Sequence, residues 1–458
     1  MRESTIPDTV ARLRAAFDAG TTRPIRWRLA QLERLKALCI ENEARIADAL
    51  KADFGKCAFE TWLTEIASTL SDVDHALKHL KRWARPRKVA TPISNQPGGS
   101  SIVHEPLGVV LIIAPWNYPF LLQVGPLVGA VAAGNCALLK PSELTPRTSA
   151  LLADLVPAYL DPATFAVVEG GADVATDLLD HRFDHVFYTG SGHVGRIVMR
   201  AAAEHLTPVT LELGGKSPCI VADDADLAVA ARRIAWGKYL NAGQTCVAPD
   251  YVLAHPRVID ELVPRLESVI RDFYGTDPRA SPDYARIVNE RHFDRLVALL
   301  ASGKAVIGGA SDRGERYIAP TVLTGVAPDA PAMQEEIFGP ILPLVAVSTI
   351  DDAMRFVNAR DKPLALYLFT KDDAIRERVV AGTSSGGVCV NDVVLHLAVP
   401  DLPFGGVGAS GMGSYHGHAG FLAFSHAKSV LAKSERMELP LRYPPYTGLK
   451  SRWLRRLA

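Results

Sequence analysis

The longest uncharged stretch of the chain runs from Leu107 to Leu139 and opens Leu107-Gly108-Val109-Val110-Leu111-Ile112-Ile113-Ala114-Pro115-Trp116-Asn117-Tyr118-Pro119. It is long enough to cross a bilayer, which takes about 20 apolar residues. Pro115, Asn117, Pro119 and Pro126 interrupt it, and an internal proline both removes a helical hydrogen bond and clashes with the preceding turn. The run therefore reads as a buried strand, a loop and a helix rather than a membrane span. Further apolar runs recur at Cys136 to Lys140, Phe165 to Val168, His185 to Tyr188 and Val209 to Leu213, with helical segments between them. Together with Val109 to Ala114 they predict five strands of a parallel, doubly wound sheet. A second alternation from Cys219 to Asp392, with strands expected at Ile341 to Val347, Leu364 to Phe369 and Gly387 to Val390, predicts a second α/β domain.

Bulk properties narrow the class. A chain of 458 residues with 48% hydrophobic content is expected to form two or three domains. Lysine plus arginine balance aspartate plus glutamate at 50 each, so no long-range field draws in nucleic acid or an anionic membrane. The six cysteines form no CxxC pair and no cluster with histidine, which suggests neither a zinc site nor a disulfide framework and fits a reducing compartment. His416 and His418 lack further ligands, so no metal is expected. The start, Met1-Arg2-Glu3-Ser4-Thr5-Ile6-Pro7, lacks the apolar core of a signal peptide, and the tail from Leu449 to Ala458 is short and basic. The expectation is a soluble, cytoplasmic protein without an integral membrane segment. Two amphipathic helices are expected early: one from about Ile25 to Leu50, another with apolar face Trp62, Ile66, Leu70, Val73, Leu77 and Leu80.

Chemistry is concentrated in two motifs. In Asn241-Ala242-Gly243-Gln244-Thr245-Cys246-Val247-Ala248-Pro249 a cysteine follows an expected helix, Leu227 to Leu240, and is set off by Gly243 and Pro249. A thiol just past a helix end is placed for exposure, and a reactive one acts as its thiolate. Upstream, Pro208-Val209-Thr210-Leu211-Glu212-Leu213-Gly214-Gly215-Lys216 carries a carboxylate to the end of a β-branched run, where α/β sites form and where it can activate water. A third signal, Gly190-Ser191-Gly192-His193-Val194-Gly195, satisfies GxGxxG between a strand and the helix containing Ile197 to Ala203, the placement that phosphate binding needs. A routine reading of that fingerprint gives the ribose to Glu212, which conflicts with a role as catalytic base.

These motifs, in their order, resemble the aldehyde dehydrogenase superfamily. So do Pro115-Trp116-Asn117-Tyr118-Pro119, Leu139-Lys140-Pro141-Ser142-Glu143, Tyr188-Thr189-Gly190-Ser191, Glu335-Glu336-Ile337-Phe338-Gly339-Pro340 and Leu402-Pro403-Phe404-Gly405-Gly406-Val407-Gly408. The chain is most similar to the class 3 branch, through its short amino terminus and the runs Gly411 to Gly417 and Arg442 to Tyr446. The resemblance implies a Rossmann-like NAD-binding domain (1–85 and 107–213), a catalytic domain (214–392), and an oligomerisation arm with a carboxy-terminal tail (86–106 and 393–458). Without the resemblance, Pro86 to Pro106 reads as a polar linker. The resemblance places the adenosine ribose near Lys140 and Glu143, the pyrophosphate at Gly190 and Ser191 in the turn closed by Gly195, and the nicotinamide half near Glu336 and Phe338, and it counts Trp116 among the cofactor-binding residues. Glu143 suits a ribose diol and repels a 2′-phosphate, so NAD is expected, with NADP tolerated.

The mechanism implied is attack by Cys246 on an aldehyde carbonyl, with the oxyanion held by the Asn117 amide and the Cys246 backbone N–H. Hydride transfer to NAD⁺ leaves a thioester, which water activated by Glu212, or with Glu336 sharing the duty, then hydrolyses. Tyr118, Trp236 and Phe404 are expected to line the pocket, favouring an apolar aromatic or medium- to long-chain aldehyde. The partners expected are this small substrate and a second copy in a homodimer. The alternative activity is a cysteine-dependent ester or thioester hydrolase, for which no catalytic histidine motif is recognisable.

Overall fold

A computed structural model describes residues 5–436 and 442–457. The first four residues of the amino-terminal segment, and 437–441 and 458 of the tail, lie outside the described residues. Val109–Ile113, Cys136–Lys140, Phe165–Val167, His185–Gly190 and Val209–Leu213 are strands, as the apolar runs predict, and they pair in parallel. Their side chains alternate between two buried faces. Val110, Ile112, Ala137, Leu139 and Phe187 join the main core, whereas Val109, Leu111, Cys136, Leu138, Leu211 and Leu213 join a second one with Leu13 and Val198. Burial on both faces explains why the strands read as continuous apolar runs rather than alternating ones.

A sixth strand, Gly411–Met412, comes from near the end of the chain and pairs antiparallel with Val209–Leu213, setting Gly411 opposite Glu212. Two residues in a glycine-rich segment carry no periodicity, so nothing in the sequence announces it. The second sheet has seven strands in the order Lys304–Ile307, Thr321–Thr324, Ile341–Ala346, Tyr251–Ala254, Pro218–Val221, Ala365–Phe369 and Gly387–Val390, all parallel except the first. A third, antiparallel sheet joins Arg87–Val89, Gly98–Pro106 and Ser425–Lys433. The stretch 86–106 is thus mostly β-structure and not an open linker.

The amino-terminal helices depart from expectation. A helix at Ile6–Asp18, capped by Thr5, was not anticipated. The single helix expected from Ile25 to Leu50 is two, Ile25–Glu41 and Glu43–Phe54. They divide at Asn42, whose amide donates to the Leu38 carbonyl and the Tyr159 hydroxyl at 3.0 Å each, the side-chain competition that interrupts helices. The next helix opens with Ala58–Thr61 and passes through a π-turn, Trp62–Ile66, before Ala67–Trp83. The wider turn leaves Trp62 exposed while Ile66, Val73 and Leu80 are buried.

Candidate active site

The helix Leu227–Tyr239 is capped by Asp226 and runs into a tight turn, Leu240–Gly243, in which Asn241 and Ala242 hold positive φ (54° and 52°). Such backbone persists only where the surroundings over-determine it. Here Gly243 is required: a Cβ at this position, with φ of 75°, lies 2.2 Å from the Gly339 carbonyl oxygen. The Asn241 amide donates to the carbonyls of Asn117 (2.8 Å) and Gln244 (3.2 Å), and the Asn117 amide donates to the Gln244 carbonyl (3.0 Å). Gln244 in turn donates to the carbonyls of Asn241 and Arg286 and accepts from Val288 N–H. Two loops distant in sequence, 115–119 and 241–249, are thereby locked together directly before Cys246.

Cys246 is partly buried and faces a cavity of about 310 Å³ whose wall includes Tyr118, Trp236, Phe404, Leu121 and Val394. The structure therefore brings all three expected pocket residues onto the surface that holds the thiol. Tyr118 also hydrogen-bonds Thr245 at 2.6 Å. Burial first, then the carboxylates of Glu336 and Glu212, push the Cys246 thiol up to about 12. Glu212 is buried near the end of its strand with neither carboxylate oxygen partnered. Burial raises it well above the ordinary carboxylate range. Glu336 is pushed up to about 8, mainly by burial and then by Asp250. A Cβ on Gly214 falls 1.9 Å from Glu336 Oε2, so the double glycine after Glu212 makes room for this second carboxylate.

Several residues of the site escaped sequence reasoning. Lys216 pairs with Asp250 and donates to the carbonyls of Ala332 (2.7 Å) and Glu335 (2.9 Å), and Asp250 accepts from Ile337 N–H at 3.0 Å. This cross-brace fixes the segment carrying Glu336. Lys216 ends the Glu212 motif and Asp250 directly follows the Cys246 motif, which was the available signal. Lys238 is fully buried with its ammonium unpartnered and is pushed down to about 8 by burial. His416 accepts or donates through Nδ1 to Asp72 at 2.7 Å, and both line the Cys246 cavity. Among the described residues no group of three or more His, Cys, Asp or Glu is arranged to hold a metal ion.

A second cleft of about 530 Å³ is lined by Ser191, Gly192, Arg196, Gly214, Lys216 and Glu336. It meets the end of helix Gly192–Glu204, which Ser191 caps. Gly190, with φ of 158°, could not carry a side chain: its Cβ falls 2.3 Å from the Tyr188 hydroxyl. Neither Gly190 nor Gly195, both expected at the cofactor, lines this cleft; the first stands directly before its Ser191 and the second lies inside the helix. A Cβ on Gly195 lies 2.8 Å from Leu213 Cδ2, so this glycine lets helix pack on strand. Lys140 and Glu143 stand two strands away at the end of Cys136–Lys140, joined at 3.0 Å, with Lys140 buried and Glu143 half-exposed. Trp116 and Phe338 also lie outside the cleft lining. Their rings meet edge to face at 5.3 Å, and Phe338 holds a φ of 53°. Bare turn glycines, an open helix end and a cation–carboxylate pair along one sheet edge fit a dinucleotide.

A family model described as the aldehyde dehydrogenase family matches residues 1–430. Aldehyde dehydrogenase family 3 member B1 of Rattus norvegicus is 52% identical over 449 residues, covering 98% of this chain and 96% of that protein. The dimeric NADP-preferring aldehyde dehydrogenase of the same species is 52% identical over 444 residues, covering 96% and 98%. The substrate-bound Staphylococcus aureus AldH superposes with a TM-score of 0.96 at 47% identity, covering 99% of each chain. The chain belongs to the aldehyde dehydrogenase family. It is an NAD(P)-dependent aldehyde dehydrogenase, and the family 3 members are its relatives across nearly its whole length.

Proposed function

We propose that Cys246 is the nucleophile, Asn117 and the Cys246 backbone N–H the oxyanion donors, and Glu212 the base that activates the hydrolytic water. The observation that carries this reading is a thiol on an apolar cavity that lies within electrostatic reach of the buried Glu212 carboxylate, which no protein group partners. Burial raises the Glu212 carboxyl well above the ordinary carboxylate range, which makes it a stronger base toward water than an exposed carboxylate. Asn117 spends one amide N–H on Gln244, which leaves its second for the substrate oxygen. Bound NAD(P)⁺ supplies the hydride acceptor. The residues that would hold it are Gly190, Ser191 and the end of helix Gly192–Glu204 for the phosphates, Lys140 and Glu143 for the adenosine ribose, and Glu336 with Trp116 and Phe338 for the nicotinamide half.

The cavity wall of Tyr118, Trp236, Phe404 and leucines favours an apolar aldehyde, aromatic or medium- to long-chain. Glu143 favours NAD, and its pairing with Lys140 allows NADP to be tolerated. The first sheet with its helices forms the cofactor domain, the second the catalytic domain, and the third sheet the arm of a homodimer; the relative named as dimeric supports that assembly. Among the described residues no helix is long and apolar enough to cross a membrane, and the cytoplasm is the proposed compartment. The hydrolase alternative is not favoured: His416 bonds Asp72, not the cysteine.

The test follows NAD⁺ and NADP⁺ reduction with benzaldehyde, hexanal, decanal and a cinnamyl-type aldehyde, in wild type, Cys246→Ala and Glu212→Gln. Aldehyde-dependent reduction is expected to vanish in Cys246→Ala, and Glu212→Gln is expected to accumulate the thioester. Retention of full turnover by either variant overturns the role given to that residue.

A further inference from the structure

The Asn117 loop and the Cys246 loop both lead back to one buried ion pair that lies outside every motif. Lys56 follows the helix Glu43–Phe54, and Glu65 sits in the π-turn Trp62–Ile66. Their side chains are completely buried and meet at 2.8 Å. The second oxygen of Glu65 accepts from the backbone N–H groups of Phe120 (3.0 Å) and Leu121 (2.9 Å). The helix Leu121–Ala133 has no side-chain cap from its own N-cap residue, so Glu65 caps it from another part of the chain, where a carboxylate also suits the helix dipole. Lys56 contributes in the other direction: its ammonium lies 4.0 Å from the centre of the Tyr118 ring, a desolvated cation–π contact. The Tyr118 hydroxyl then reaches Thr245, the neighbour of Cys246, at 2.6 Å.

We propose that the Lys56–Glu65 pair is a positioning device for the oxyanion pocket, holding the Asn117 loop from below through Phe120 and Leu121 and registering it against Cys246 through Tyr118 and Thr245. The proposal rests on the roles given above to Asn117 and Cys246. A buried ion pair is a poor source of stability, since apolar residues of similar volume often replace one without loss. Its geometry here supplies something apolar residues cannot: a fixed acceptor for two helix-end donors and a fixed cation beneath the ring. A misplacement of about 1 Å at a reacting centre can cost on the order of 10²-fold in rate.

The experiment uses the full-length enzyme in three forms besides wild type: Lys56→Met/Glu65→Met, which replaces the pair by apolar side chains of similar volume and removes the acceptor, Tyr118→Phe and Asn117→Ala. For the double variant we expect a melting temperature near that of wild type, kcat down at least about tenfold, KM for NAD⁺ within about twofold, and alkylation of Cys246 by iodoacetamide at the wild-type rate, because alkylation needs no oxyanion pocket. Tyr118→Phe removes only the hydroxyl that reaches Thr245, and it should show the same division between kcat and KM with a smaller drop. A double variant that melts normally and turns over at the wild-type rate overturns the proposal. If the double variant does not fold, Tyr118→Phe decides: wild-type kcat there overturns it equally. Asn117→Ala separates the two levels, because wild-type turnover in that variant removes the oxyanion reading itself, whereas loss there with full activity in the pair variants removes only the positioning role.

Discussion

At the scale of single residues, the thiol and both carboxylates of the site are tuned mainly by burial, with neighbouring carboxylates adding to it for Cys246 and Glu336. With Cys246 pushed up to about 12, the cofactor-free protein at neutral pH is expected to hold the thiol form. Alkylation of Cys246 by iodoacetamide should rise about tenfold per pH unit from pH 7 to 10; a plateau by pH 9 contradicts it. Glu336 is raised from 4.5 to about 8 in the fold. The unfolded chain releases this proton first, so the contribution of Glu336 to stability falls as pH rises from its ordinary value to about 8 and is level above that. Glu336→Gln should therefore melt a few degrees above wild type at pH 8 and converge with it near pH 5, as calorimetry can check. Cys246 and Glu212 were legible because their local sequences are unusual for ordinary core residues. Lys238 and the Asp72–His416 pair were not, since a lysine in a helix or a histidine near glycines carries no mark of what surrounds it.

At the scale of elements, the turn ending helix Leu227–Tyr239 is the most constrained backbone of the site. Gly243 combines positive φ with a backbone oxygen where its Cβ would stand. Gly243→Ala must shift that turn or strain it, at a cost of about 1–3 kcal/mol for the backbone conformation alone. Activity is expected to fall more than stability, measured as kcat against melting temperature, because the displaced atoms adjoin Cys246. Gly195→Ala meets only the end of the Leu213 side chain and is expected to be far milder. If Gly195→Ala instead raises the KM for NAD⁺ tenfold with kcat unchanged, Gly195 touches the cofactor after all. The strands were legible because burial on two faces leaves long apolar runs. The break at Asn42 and the π-turn at Trp62 were not, since both depend on hydrogen bonds and packing with distant residues.

For the whole molecule, the end of the chain closes structures built from its beginning. Ser425–Lys433 covers the edge of Gly98–Pro106 along its whole length, and Gly411–Met412 covers the strand of Glu212. Deleting everything after Phe424 removes the outer strand Ser425–Lys433, whose Lys428 and Lys433 guard the edge, and leaves the nine-residue Gly98–Pro106 as the new edge, a template for pairing with other chains. Size-exclusion chromatography is expected to show aggregated protein from this truncation, and a monodisperse, active product contradicts that expectation.

What the sequence alone determined is what depends on local pattern: two alternating α/β regions, the strand that delivers Glu212, the turn that holds Gly190, and the loop that presents Cys246. Each follows from periodicity, glycine placement or side-chain chemistry within a dozen or so neighbouring residues. Only the tertiary structure decided how those pieces face one another. The locking of Asn117 to Asn241 and Gln244, the room that Gly214 leaves for Glu336, the Gly411 strand beside Glu212 and the Lys56–Glu65 pair beneath Tyr118 all join residues far apart in the chain. Such contacts are selected by shape and desolvation in three dimensions, and a sequence read along its length records neither.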